Sequence, residues 1–270
     1  MNDITKNEFG TNDLCDAMHD VDQSYCGIYE GEVGDLGDVI PFDDAAVFAD
    51  VLIGEKAYDH FRDRLERISG VEYHDLFDMD RKSVEALQAS LPDAAVEEIL
   101  SSARDAKAAF RIACQALAAG IKERALKIKF DHGDGLSRES FVDSWRALCA
   151  DYSSFRHLKS DLQDGAWLNQ NGVIPRWRKL DEMVVETMLA MRGCFDWDQL
   201  ASQRSEDQPP ASWPLGTIDE ESLKKVKTLM DRAGSVWDWL RSDLFREVDE
   251  HFEFYLTGGR DQTTGATGEN

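Results

Sequence analysis

At 270 residues and a net charge of −23, the chain can bury a full core but is too acidic for general duplex binding. Hydrophobic residues make up 42% and charged residues 31%, which excludes a disordered chain. The longest uninterrupted apolar run is a handful of residues near Ala116 to Ile121, too short for a membrane span. The charge is uneven: residues 1–103 carry a net −18, residues 104–180 a net +5 and residues 181–270 a net −10.

The N-terminus MNDITKNEFGTND lacks the basic and apolar regions of a secretory signal. Five cysteines form no CxxC pair, so a reducing cytoplasm is the expected setting. Residues 1–43 are acidic and glycine-punctuated, and read as loop with one short strand around Tyr25 to Tyr29. Their glycines match no dinucleotide or Walker spacing, and Glu30, Glu32, Asp35 and Asp38 would repel a phosphate. Cys15, His19 and Cys26 are candidate zinc ligands, yet no CxxC or HxxxH supplies the missing ones.

Residues 44–202 form the expected helical core. A helix capped by Asp43 or Asp44 carries Phe48, Val51, Phe61 and Leu65 and stops at Gly70. Glu72, His74, Asp75, Asp78 and Asp80 follow; they could hold Mg²⁺, but a chain this rich in carboxylates contains such runs as solvated loop. A short helix spans about Asp80 to Ala89.

Ser90 to Phe130 is the longest helix-compatible run. Ser90-Leu-Pro-Asp93 has the form of a capping start. Val96, Leu100, Ala103, Phe110, Ala113, Leu117, Ile121 and Ile128 recur at helical period. Gly120 is the expected bend. Opposite the apolar face, Arg104, Lys107, Arg111 and Lys122 make a basic stripe where an acidic segment would dock, the protein's own or a partner's.

The loop DHGDGLSRES is similar to an EF-hand calcium loop in composition. Its ligands align only after two deletions, and Ser140 takes the place of the bidentate glutamate, so a turn with Ser137 capping the next helix is expected. That helix carries Phe141, Trp145, Leu148, Tyr152, Phe155, Leu158 and Leu162. The next opens at Pro175 and stops near Gly193. Its first turn, Arg176-Trp177-Arg178-Lys179, is a basic patch with an embedded aromatic, suited to an acidic peptide or to stacking.

Residues 203–217 are the proline-rich linker, residues 218–257 a long C-terminal helix capped by Asp219, and residues 258–270 an expected disordered tail. Trp237 and Trp239 straddle Asp238, so one helix cannot turn both into the same core. One of them is therefore a candidate partner contact. Arg246-x4-His251 resembles the Arg-x4-His motif of HEPN ribonucleases, helical dimers that cut RNA. The resemblance rests on two residues; with spacings of four to six allowed, Arg67 and His74 make a second pair in a chain whose Arg and His content yields them by chance.

The expected fold is all-α: an elongated bundle of about six helices, two of them long, with an acidic loop-rich N-terminal segment. The expected function is a non-enzymatic interaction protein, an accessory or regulatory subunit that binds a protein partner. Arg104, Lys107, Arg111, Arg176, Trp177, Arg178, Lys179 and Trp239 are its candidate contacts, with no cofactor or metal and with homo-oligomerisation open. The alternatives are a HEPN-like, metal-independent ribonuclease using Arg246 and His251, and an acidic nucleic-acid mimic acting through residues 1–103.

Overall fold

The computed structural model describes residues 13–26, 45–164, 173–203 and 213–257. Nine helices lie among them: α1 (Leu14–Tyr25), α2 (Ala45–Ser69), α3 (Tyr73–Asp78), α4 (Arg81–Ser90), α5 (Asp93–Lys127), α6 (Phe141–Asp164), α7 (Val173–Arg192), α8 (Trp197–Gln203) and α9 (Glu220–Thr257). The protein is predominantly helical, and the only strand-like pairing among the described residues is one antiparallel bridge, Phe195 to Leu215. No helix among them is long and apolar enough to cross a membrane.

Two sequence expectations change here. Residues 14–25 are a helix rather than a loop, with Asp13 accepting from the Cys15 N–H at its start. Leu14, Met18 and Val21 are buried at the i, i+4, i+7 spacing of one helical face. Tyr25 ends this helix and Cys26 follows it with helical backbone, so the expected strand does not start there; residues 27–29 lie outside the described residues, as do Asp43, Asp44, most of the proline-rich linker and the tail from residue 258. Ser90 does not cap α5: it is the last residue of α4, and its hydroxyl donates to the Leu87 carbonyl.

The chain divides into two compact units, residues 1–120 with 248–270, and residues 121–247. In the first, α5 buries Leu100, Ala103, Phe110, Ala113 and Leu117 as the periodicity predicts, while Val96 stays half-buried. Its alanines Ala103, Ala106, Ala109 and Ala113 are all buried, so small side chains let neighbouring segments approach the helix closely. α2 contributes Val51, Tyr58, Phe61 and Leu65, and ends at Gly70, whose φ of +70° suits glycine and whose N–H bonds the Glu66 carbonyl. Gly120, the expected bend, stays helical.

The second unit is built on aromatic rings. Phe155 lies 5.6 Å from Phe130, 5.7 Å from Trp237 and 5.5 Å from Trp177, ring centre to ring centre. The Trp237 indole N–H donates to the Ile128 carbonyl at 2.8 Å, so the buried donor is satisfied. Phe130 has φ +58° although it is not glycine. The Asp151 carboxylate holds it there by accepting from the Lys129 and Phe130 N–H groups at 3.2 and 3.1 Å. Gly234 permits a close approach on α9: a Cβ there would sit 3.0 Å from the Asp131 Cβ and 3.2 Å from its Cα.

Candidate functional site

The basic stripe of α5 and the basic patch of α7 meet different fates. On α5, Lys107 reaches Asp20 of α1 at 3.0 Å, in a pair shielded enough to be structural. Arg104 pairs with Glu97 on its own helix. Arg111 is exposed on the following turn. The acidic segment that this stripe was expected to attract thus includes the protein's own α1.

α1 is held by further polar contacts within the same unit. Arg81 of α4 pairs with Asp13, with Asp16 at 3.1 Å and with Glu85 at 3.2 Å. Asp22 accepts from the hydroxyls of Tyr58 at 3.1 Å and Tyr73 at 3.3 Å. Burial pushes both phenols well above the ordinary tyrosine range, so they remain donors to that carboxylate. Tyr25 stacks on Tyr58 at 3.7 Å between ring centres.

In α7 the four residues of the basic patch separate by direction. Trp177 is 1% exposed and belongs to the core beside Phe155, so the sequence assignment of Trp177 to a partner surface is corrected. Arg178 and Lys179 are exposed. Arg176 turns towards α9, where its guanidinium carbon lies 4.3 Å from the centre of the Trp239 ring. Its Nη1 pairs with Asp243, which also meets Arg246 at 3.5 Å. Trp237 is 0% exposed and Trp239 is 52% exposed, the division expected of two tryptophans straddling one residue.

This arrangement presents a half-exposed indole with a guanidinium against its ring. Arg176 covers part of the ring, and Asp243, one helical turn beyond Trp239, fixes Arg176. The sequence analysis did not identify Asp243. The spacing of Trp239 and Asp243 carried the signal, but the link to Arg176 spans 67 residues. Two further apolar residues of α7, Val185 and Leu189, are exposed and carry no distinguishing sequence signal.

The remaining candidates are placed as follows. Arg246 pairs with Asp243 and Glu247, while His251 is half-buried beside Phe252, at 5.4 Å between ring centres. Five residues apart on one continuous helix, the two side chains leave the axis about 140° apart. Burial lowers the His251 pKa to about 4. His132 Nε2 lies 2.7 Å from Asp151, the carboxylate that also holds the Phe130 turn, so this pair anchors the loop after α5. Ser137 and Ser140 exchange backbone and hydroxyl hydrogen bonds ahead of α6, as a capping turn does.

Glu72 precedes α3, His74 and Asp78 form an exposed pair at 3.8 Å, and Asp80 caps α4 through the Ser83 N–H. Cys15 and His19 share α1, with His19 edge-on to Phe77 at 5.4 Å. Among the described residues no group of three or more His, Cys, Asp or Glu side chains is placed to hold a metal ion. Comparison of the chain with family models, curated proteins and solved structures returned no match.

Proposed function

We propose that the protein is a non-enzymatic helical interaction protein, an accessory or regulatory subunit whose partner docks on the second unit over Trp239 and Arg176. The observation that carries this reading is a half-exposed tryptophan contacted by a cation that is itself ion-paired. Tryptophan and arginine dominate the energetics of protein interfaces, and an ordered side chain loses less entropy on binding than a mobile one. Exposed Lys179, three residues on from Arg176 and on the same side of the helix, then serves as a polar rim that favours an acidic partner. All five cysteines are free thiols, which fits a cytoplasmic setting. The reading also takes the helices to form an elongated bundle with an acidic N-terminal segment, which small-angle scattering of the whole protein tests.

The functional test is capture of a stoichiometric partner from the native host by the wild-type protein and by a Trp239→Ala variant. Loss of the partner at unchanged melting temperature supports the reading. Equal capture by both proteins removes Trp239 from the interface.

A further inference from the structure

The first unit carries a groove that faces the opposite kind of partner. It encloses about 740 Å³ between the start of α1, the outer side of α4 and the first two turns of α5. Ala89, Val96 and Leu100 supply its apolar surface. Asp13, Glu85, Asp93 and Glu97 stand around it, and no lysine or arginine lines it among the described residues.

The charge balance says what is missing. Arg81 alone serves three carboxylates, Asp13, Asp16 and Glu85. Arg104 serves Glu97. The four lining carboxylates, Asp13, Glu85, Asp93 and Glu97, share two guanidiniums, one of them also taken by Asp16, which leaves an excess of two negative charges beside the trough among the described residues. Lysine and arginine match such a trough chemically, because their methylene stems lie along apolar surface while the charged end reaches a carboxylate. A helix with one apolar and one basic edge presents both features together at i, i+4 spacing.

We propose that this groove docks a basic amphipathic helix of a partner protein. The surface is distinct from that of Trp239 and selects the opposite charge. Leucine side chains of the incoming helix cover Ala89 and Val96, and its lysines or arginines meet Asp93, Glu97 and the carboxylates that Arg81 shares. Binding weakens with added salt, because the unscreened negative charges supply much of the attraction.

The test uses the full chain and a fluorescent leucine–lysine peptide about four helical turns long, followed by anisotropy. Ala89→Lys places a cation and extra volume in the groove from an exposed position, and is expected to weaken binding about tenfold or more, roughly 1.4 kcal/mol. Asp93→Asn, which adds no bulk, is expected to weaken it several-fold, so the outcome does not depend on how well the lysine variant folds. Glu220→Gln with Glu221→Gln, an exposed pair at the start of α9, removes comparable charge elsewhere and is expected to change affinity less than about twofold.

Equal losses in the groove and control variants overturn the proposal, because they reduce the binding to general attraction by an acidic protein. So does equal binding of a scrambled peptide of the same composition, or full displacement of the peptide by spermine at matched charge. Trp239→Ala is expected to leave the peptide affinity unchanged, so failure of the groove and failure of the Trp239 surface are observed separately.

Discussion

Two basic patches of similar composition behave differently in this molecule. On α5, Lys107 and Arg104 are engaged by Asp20 and Glu97, and the stripe works as an attachment for the protein's own acidic helix. On α7, Arg178 and Lys179 stay in solvent, and Arg176 is engaged in a way that steadies an exposed indole. A run of cations therefore identifies a partner surface only when its internal carboxylates are accounted for. The difference lies in what each patch faces, because the first unit brings α1 against α5 whereas the second brings an exposed Trp239 against Arg176.

The contrast is sharpest between the two neighbouring tryptophans. Trp237→Ala is expected to cost about 3–5 kcal/mol, through loss of a buried ring and of the hydrogen bond to Ile128. Denaturant unfolding of the purified variant reads this directly. Trp239→Ala is expected to cost less than about 1 kcal/mol in the same assay, since the ring is half in solvent.

A second effect, on the order of 3 kcal/mol, belongs to His251. Its imidazole titrates near pH 6.5 in the unfolded chain and near pH 4 in the folded one. The unfolded state therefore takes up the proton first as the pH falls. Stability is complete above about pH 6.5 and declines progressively towards pH 4, and His251→Phe is expected to flatten that part of the pH profile.

Lys107→Met tests whether the α5 stripe is structural. Removing one member of the shielded pair with Asp20 is expected to cost about 1–2 kcal/mol, read as a lower denaturation midpoint, whereas Lys179→Met at an exposed position is expected to change it by less than about 0.5 kcal/mol. Equal costs would erase the distinction between the two patches. The smallest effect is chemical: burial raises the Cys114 thiol to about pH 12, so it should resist thiol reagents in the folded protein at pH 8 and react on unfolding.

Much of the fold was legible locally. The apolar face of α5, the stop at Gly70 and the opposite directions of Trp237 and Trp239 all follow from helical period or backbone chemistry within a few residues. α1 was hidden because Leu14, Met18 and Val21 sit among four aspartates, Asp13, Asp16, Asp20 and Asp22, and just ahead of a glycine-rich stretch, so composition outweighed period. The candidate site was legible in part: Arg176 and Trp239 stood out by residue type, but their contact joins helices more than sixty residues apart. Trp177 was misplaced because adjacent residues on a helix point about 100° apart, and a four-residue motif cannot say which one enters the core. The pairing of Lys107 with Asp20 spans 87 residues, and no local pattern encodes it.

The central claim is that Trp239 is exposed for binding and not for stability. It is tested by measuring partner recovery and melting temperature together for the wild type and Trp239→Ala. The account predicts recovery reduced at least about thirtyfold, equivalent to about 2 kcal/mol of interface energy, with the melting temperature unchanged. Undiminished recovery, or a melting temperature that falls as far as it does for Trp237→Ala, would contradict it.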